Sequence, residues 1–205
     1  LKVGVLDIQG DVSEHVEAME GALREEGLEG DVISVKTAEQ VDTLHGLIIP
    51  GGESTVIGGV MKRKGLLANI ADNALKRRLA VYGTCAGMIL LAKKASDSKV
   101  GETGQPLLGL MDIEVTRNAF GRQRESFETD LQVPAIGGSP FRAVFIRSPW
   151  VKGLLSDEVK VLARFSEKVV AVEQRNMLAT AFHPELTGDL RFHRYFLKKV
   201  RAVRA

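Results

Sequence analysis

The chain has a single cysteine, Cys85, so an internal disulfide framework is excluded. That fits a reducing compartment and leaves open what a lone thiol is for. Histidine is scarce too. His15, His45, His183 and His193 lack paired ligand spacing, so neither a protein metal site nor a cofactor is expected. No charge of one sign dominates, with 28 basic residues against 26 acidic ones. The basic clusters Lys62-Arg63-Lys64 and Lys76-Arg77-Arg78 carry no interleaved aromatics, so they read as solvated helix faces and nucleic acid is not expected as a partner. No apolar run approaches the length of a membrane span. The opening Leu1–Asp7 reads as a strand and lacks the regions of a signal peptide, which points to a cytoplasmic protein. Repeats, low-complexity stretches and interdomain linkers are also missing, and 205 residues suit one domain over 1–205.

What is present is an alternation of short apolar runs, many ending in glycine, with amphipathic segments. That is the pattern of an α/β fold with a largely parallel sheet. Val3–Ile8, Val32–Val35, Gly46–Ile49 and Leu79–Tyr82 read as strands. Val12, Val16, Met19 and Leu23 recur at helical spacing between Asp11 and Gly27, and helical material is expected over 54–78 and on through Leu91. The second half is richer in strand signals: 110–117, 127–133, 143–146, 159–165, 169–173 and 177–182. A basic amphipathic helix is expected over 189–203, and the segment from Ser96 to Pro106 is the best candidate for a flexible loop.

Cys85 lies between a buried strand and a helix, with Gly83 and Gly87 two residues to either side. Glycines let the backbone turn sharply and leave the side chain projecting at a helix N-terminus, as in a nucleophile elbow. There the helix dipole favours the thiolate, the reactive form. A free cysteine is more commonly a small buried hydrophobe, but that reading does not explain the flanking glycines. A thiol nucleophile needs a base, and His183 is the best placed histidine. Pro184 pushes it toward extended geometry, so that Glu185, two residues on, projects to the same side. A carboxylate beside an imidazole fixes its tautomer and stabilises the imidazolium. His15, His45 and His193 are weaker candidates, read as surface or packing residues. Pro50-Gly51-Gly52-Glu53-Ser54 follows a strand and precedes a helix. Such a backbone can present N–H groups to a phosphate or an oxyanion, or it can be a plain turn with Ser54 as the helix N-cap. No segment has a Walker lysine followed by Ser/Thr, which removes the phosphate-loop reading.

The combination Pro50-Gly-Gly-Glu-Ser54, Gly83-Thr-Cys-Ala-Gly87 and Phe182-His-Pro-Glu-Leu186 resembles the class I (triad) glutamine amidotransferases. Gly4–Gly10, Arg117–Gln123 and Val144–Pro149 make the chain most similar to the glutaminase subunits of pyridoxal 5′-phosphate synthase. The similarity runs from Val3 to about Leu186; Asp7 and Ile8 depart from the family's opening strand, at no catalytic position. The resemblance implies a flavodoxin-like, three-layer α/β/α sandwich with a central mixed, mostly parallel sheet. It implies a catalytic triad of Cys85, His183 and Glu185, and an oxyanion hole made by the N–H groups of Gly52 and Ala86. It places Gly51, Gly52, Glu53, Arg117, Ile146 and Arg147 around glutamine, through side chains or main chain. The implied partner is a synthase (lyase) subunit in a hetero-oligomeric complex, which receives the ammonia and makes pyridoxal 5′-phosphate from a pentose phosphate and a triose phosphate.

The rival readings are a glutaminase subunit of another amidotransferase, such as that of histidine biosynthesis, a hydrolase with the same elbow, and a non-enzymatic interaction module. The Phe120-Gly-Arg-Gln123 and Phe145-Ile-Arg-Ser-Pro149 segments speak against the first. The isolated subunit is expected to be nearly inactive, with the Gly51-Gly52 backbone as the switch and Gln9 supporting it from the partner side.

Overall fold

The structure is a computed structural model describing residues 1–97, 101–117 and 126–204. The family-like positions 118–123 and part of the expected loop, 98–100, lie outside the described residues. The first half alternates as its periodicity dictates: β1 (Lys2–Leu6), α1 (Val12–Glu25), β2 (Asp31–Val35), α2 (Ala38–Val41), β3 (Gly46–Ile49), α3 (Ser54–Arg63), α4 (Leu66–Leu75), β4 (Ala80–Thr84) and α5 (Ala86–Leu91). The second half runs β5 (Ala92–Asp97), β6 (Gly101–Glu102), β7 (Met111–Arg117), β8 (Ser126–Leu131), β9 (Phe141–Ile146), β10 (Trp150–Leu154), β11 (Lys160–Phe165), β12 (Lys168–Gln174), β13 (Met177–Thr180) and α6 (Arg191–Arg204).

Three local expectations are corrected. The stretch 54–78 is two helices, because Gly65 adopts φ 71° between them. The α3 N-cap is Glu53, not Ser54: the Glu53 carboxylate accepts from Thr55 N–H, while the Ser54 hydroxyl donates to Gln105 Oε1. Strands β5, β6 and β10 were not expected, and β5 reaches into the anticipated loop. Its Lys93-Lys94 pair interrupts any apolar alternation, so pairing with β7 carries it instead of its own pattern.

Among the described residues, eleven strands form one mixed sheet in the order β2-β1-β3-β4-β13-β12-β10-β7-β5-β6, with β11 on β12; β8 and β9 form a separate hairpin. The five strands β2-β1-β3-β4-β13 are mutually parallel, so their carboxyl ends share one edge. The alternation along β4 divides the two helical layers. Tyr82 faces Phe196 of α6, at 5.5 Å between ring centroids, whereas a Cβ on Gly83 would meet Leu91 of α5 at 2.8 Å. Helix α1 packs on α6, and α3 packs on α5, completing the sandwich. Helix α6 buries Phe192, Phe196, Leu197 and Val200 and turns Lys198, Arg201 and Arg204 outward. No helix among the described residues is long and apolar enough to cross a membrane.

Phe196 is fully buried and anchors α6 to β4. Phe196→Ala is expected to lower unfolding free energy by about 3–5 kcal/mol, since the cavity cannot collapse against a rigid sheet. Urea denaturation checks this; a loss under about 1 kcal/mol would mean the layer is far looser than described.

Candidate active site

The carboxyl ends of β1, β3, β4 and β13 lie side by side, and the segments leaving them build the site. Strand β4 leads into Cys85, which is held at φ 49° and ψ −102°, a strained conformation for a residue with a Cβ. The flanking glycines are steric necessities. A Cβ on Gly83 would lie 2.4 Å from the Gly87 carbonyl carbon, and one on Gly87 would lie 2.1 Å from the Ile49 carbonyl oxygen. The Cys85 N–H donates to Thr180 O at 2.8 Å, pinning the elbow to β13.

From β13 the chain reaches His183, whose N–H donates to Val144 O at 2.8 Å, and enters a 3-10 turn, Pro184–Leu186. That turn, and not a continued strand, folds Glu185 back onto the imidazole. Nδ1 of His183 lies 2.7 Å from Glu185 Oε1, with both residues buried. Burial pushes the His183 pKa down, but hydrogen bonding and charge from Cys85 and Glu185 outweigh it and raise it to about 10. Burial raises Glu185, and His183 draws it part of the way back.

A cavity of about 320 Å³ opens at this point. Of the residues singled out in the sequence, Gly52, Glu53, Cys85, Ala86, Arg117, Ile146, Arg147 and His183 line it. Gly51 and Glu185 do not. Gly51 packs beneath the imidazole, where a Cβ would meet His183 Cε1 at 2.4 Å, and Glu185 sits behind the imidazole. The Arg117 guanidinium is held by Glu53 at 2.8 Å and by Gln105 at 2.9 Å. Arg147 is presented from a positive-φ backbone at 44°. Gly52 adopts φ 140°, and the next N–H, that of Glu53, donates to Gln9 Oε1 at 3.0 Å. Larger grooves exist, one of about 700 Å³ beside β2 and α1, but Cys85 does not line it.

Sequence reasoning missed two neighbours of the imidazole pair. Asp11, from the β1–α1 turn, lines the cavity and places Oδ2 3.2 Å from His183 Nδ1. Asp11, His183 and Glu185 bring ligand-type atoms within 4.8 Å of one another. Nδ1 is the nitrogen they share, and Glu185 Oε1 already lies within hydrogen-bond distance of it. His15 was read as a surface or packing residue; it is fully buried, with Nε2 3.3 Å from Glu185 Oε2 and 3.0 Å from Thr84 Oγ1. Its Nδ1 lies 3.2 Å from Nε2 of the equally buried His193. The available signal was a histidine on the apolar stripe of α1, in register with Met19 and Ala22. His45 Nδ1 accepts from Lys2 N–H at 3.1 Å.

A thiol on a strained strand-to-helix turn, beside an imidazole whose far nitrogen is held by a buried carboxylate, defines the triad class of acyl-transfer sites. The chain belongs to the SNO glutamine amidotransferase family, matching it over residues 5–202. It is 52% identical over 200 residues to "Pyridoxal 5'-phosphate synthase subunit PdxT" of Methanococcoides burtonii, covering 98% of this chain and 99% of that one. The proteins of the same name from Sulfolobus acidocaldarius and Pyrococcus furiosus are 48% and 49% identical over 201 residues each, covering 98% of this chain and 100% and 99% of theirs. A solved structure, "Crystal structure of glutamine amidotransferase", superposes with a TM-score of 0.85 at 46% identity, covering 97% of this chain and 98% of that one.

The buried histidine pair generates a pH prediction. Burial, then the fields of His193 and His183, hold His15 well below its ordinary 6.5, and burial holds His193 at about 4. Between pH 6.5 and about 4 the unfolded chain therefore binds protons that the folded chain refuses. Stability should fall as pH drops through that window, by about 1.4 kcal/mol per pH unit for each such group. His193→Leu should flatten the slope measured by denaturation at a series of pH values. A slope as steep as that of the unsubstituted protein would contradict the assignment.

Proposed function

We propose that residues 1–205 form one glutaminase domain, which hydrolyses glutamine and passes the ammonia to a synthase subunit that makes pyridoxal 5′-phosphate from a pentose phosphate and a triose phosphate. The observation that carries the chemistry is the 2.7 Å contact between His183 and Glu185, beside a cavity lined by both Cys85 and His183. The identity to proteins named as pyridoxal 5′-phosphate synthase subunits, over nearly the whole chain, supports the product and the partner. The lone, unpaired cysteine supports a cytoplasmic setting.

In this reading the Cys85 thiolate attacks the side-chain amide carbon of glutamine. The Gly52 and Ala86 N–H groups receive the oxyanion; Ala86, at the first position of α5, has an amide that the helix leaves unpaired. His183, held protonated by the site, gives its proton to the departing nitrogen as the tetrahedral intermediate collapses to a γ-glutamyl thioester. The neutral imidazole then takes a proton from water, which attacks the thioester and frees glutamate. Glu185 stays ionised throughout and orients the ring. Glu53, Arg117, Ile146 and Arg147 surround the amino-acid end of glutamine. Because Arg117 is already paired with Glu53 and Gln105, Arg147 is the freer cation for the α-carboxylate.

Cys85→Ala should abolish glutamine hydrolysis, measured with the synthase subunit present, while leaving the complex intact. Turnover above a trace in that variant would sink the thioester route. His183→Asn should fall to background and Glu185→Gln should keep a residual rate, because the ring remains but loses its orienting charge; equal rates would contradict the assigned roles. Docking of the synthase subunit is proposed to activate the chain through the Gly51-Gly52 backbone, with Gln9 bracing the neighbouring amide. Gly52→Ala forces a Cβ onto a φ of 140° and within 3.2 Å of Ile57. It should cut partner-stimulated turnover by about a hundredfold or more without weakening association, the typical loss when one oxyanion donor is removed. Full stimulated activity in that variant would exclude the switch.

A further inference from the structure

The layer between β4 and helices α1 and α6 is mostly apolar, and besides the Tyr82–Thr180 hydroxyl pair it holds a connected line of polar groups. His193, His15 and Glu185 all lie in it, and the two histidines have no exposed surface. Imidazoles in such a place are costly unless each nitrogen finds a use. The contacts run in sequence: His193 Nε2 to His15 Nδ1 at 3.2 Å, His15 Nε2 to Glu185 Oε2 at 3.3 Å, and Glu185 Oε1 to His183 Nδ1 at 2.7 Å.

The chemistry of the members fixes where the protons sit. Burial keeps His15 and His193 neutral, so each ring carries one N–H. Glu185 Oε2 is buried and has no well-aligned hydrogen bond among the described residues, and the nitrogen facing it belongs to His15. If His15 Nε2 were bare, two lone pairs would oppose each other inside the protein. Nε2 is therefore assigned the proton, which it gives to Thr84 Oγ1 at 3.0 Å, while Glu185 Oε2 lies 3.3 Å away, near the N–H but outside hydrogen-bond alignment. Nδ1 of His15 is then an acceptor and takes the N–H of His193 Nε2. The line ends at His193 Nδ1, which has no hydrogen-bond partner among the described residues.

We propose that His15 is a positioning residue of the acyl-transfer site: its Nε2–H faces Glu185 Oε2 and keeps that carboxylate ionised and oriented toward His183, while His193 fixes the tautomer of His15. The proposal rests on the glutaminase reading for its kinetic consequence only. The other groups facing Glu185 are His183 on its own segment, Asp11 from the β1–α1 turn, and Tyr82 from β4. Of these, Asp11 opposes ionisation of Glu185 and His183 supports it, and the buried Tyr82 hydroxyl stays protonated. His15 is the neutral donor facing Oε2.

The test compares His15→Leu and His15→Gln with the unsubstituted chain, each in complex with the synthase subunit. Glutamine turnover is followed across pH, and the His183 ring proton is followed by NMR. His15→Leu should lower kcat by roughly 10- to 100-fold with little change in KM, the range seen when an outer-shell hydrogen-bond partner is removed. Without its donor, Glu185 should protonate at higher pH, so the acid limb of kcat moves upward and the downfield His183 Nδ1–H line moves upfield. His15→Gln, which retains an N–H donor, should recover part of both effects. An unmoved acid limb and ring-proton line, or a Gln variant no better than Leu, would overturn the proposal. If His15→Leu fails to fold, His193→Leu, which leaves the His15 ring in place but frees its tautomer, should shift both readouts in the same direction; no shift would overturn the proposal equally. The NMR readout needs no turnover. An unsubstituted complex that fails to hydrolyse glutamine would therefore end the glutaminase reading without deciding the role of His15.

Discussion

At Cys85 the backbone must turn from a strand into a helix within one residue, at φ 49° and ψ −102°. A residue with a side chain holds that conformation only when its surroundings over-determine it. Here they do. Thr180 of β13 accepts the Cys85 N–H, Gly83 lets the first turn of α5 fold back against β4, and Gly87 lets that turn press on the Ile49 carbonyl. The parallel order β3-β4-β13 follows from the same requirement, because it sets the glycine loop after β3 and His183 after β13 on either side of the thiol. The Gly51-Gly52 turn then fits against the imidazole with no room for a Cβ on Gly51.

Electrostatics acts on this frame through burial. The same desolvation that lowers His15 and His193 works against a charge on His183, yet its hydrogen bonds and interactions with Cys85 and Glu185 reverse the outcome for His183 alone. One fold thus keeps two histidines neutral and a third protonated within a single connected line. The acid sensitivity and the His183–Glu185 pairing have a common origin, since both depend on the buried layer that α1 and α6 maintain over β4.

Much of the site was legible because its parts are local in sequence. Glycines two residues either side of Cys85, a proline between His183 and Glu185, and glycines directly after β3 are short-range devices whose physics needs no knowledge of the fold. The 3-10 turn at Pro184 delivered the same pairing that an extended segment would have given, so the expected neighbours met by a different backbone route. What stayed illegible depends on sheet order. His15 meets Thr84 from 69 residues away and His193 from 178, and only the packing of α1 and α6 over β4 creates those contacts. Arg117 is expected around glutamine, through its side chain or its main chain, and its pairing with Glu53 and Gln105 is a tertiary fact. Strands β5 and β10 were illegible for a related reason: their neighbours, not their own alternation, make them strands.

The central claim is that Cys85 carries the glutamyl group between two half-reactions. The most direct measurement mixes the chain and its synthase subunit with glutamine, quenches in acid within the first turnovers, and maps the protein by mass spectrometry. The account predicts a glutamyl adduct on the peptide containing Cys85, formed before glutamate accumulates and lost on exposure to hydroxylamine. Glutamate formation at an undiminished rate with Cys85 never acylated would contradict it.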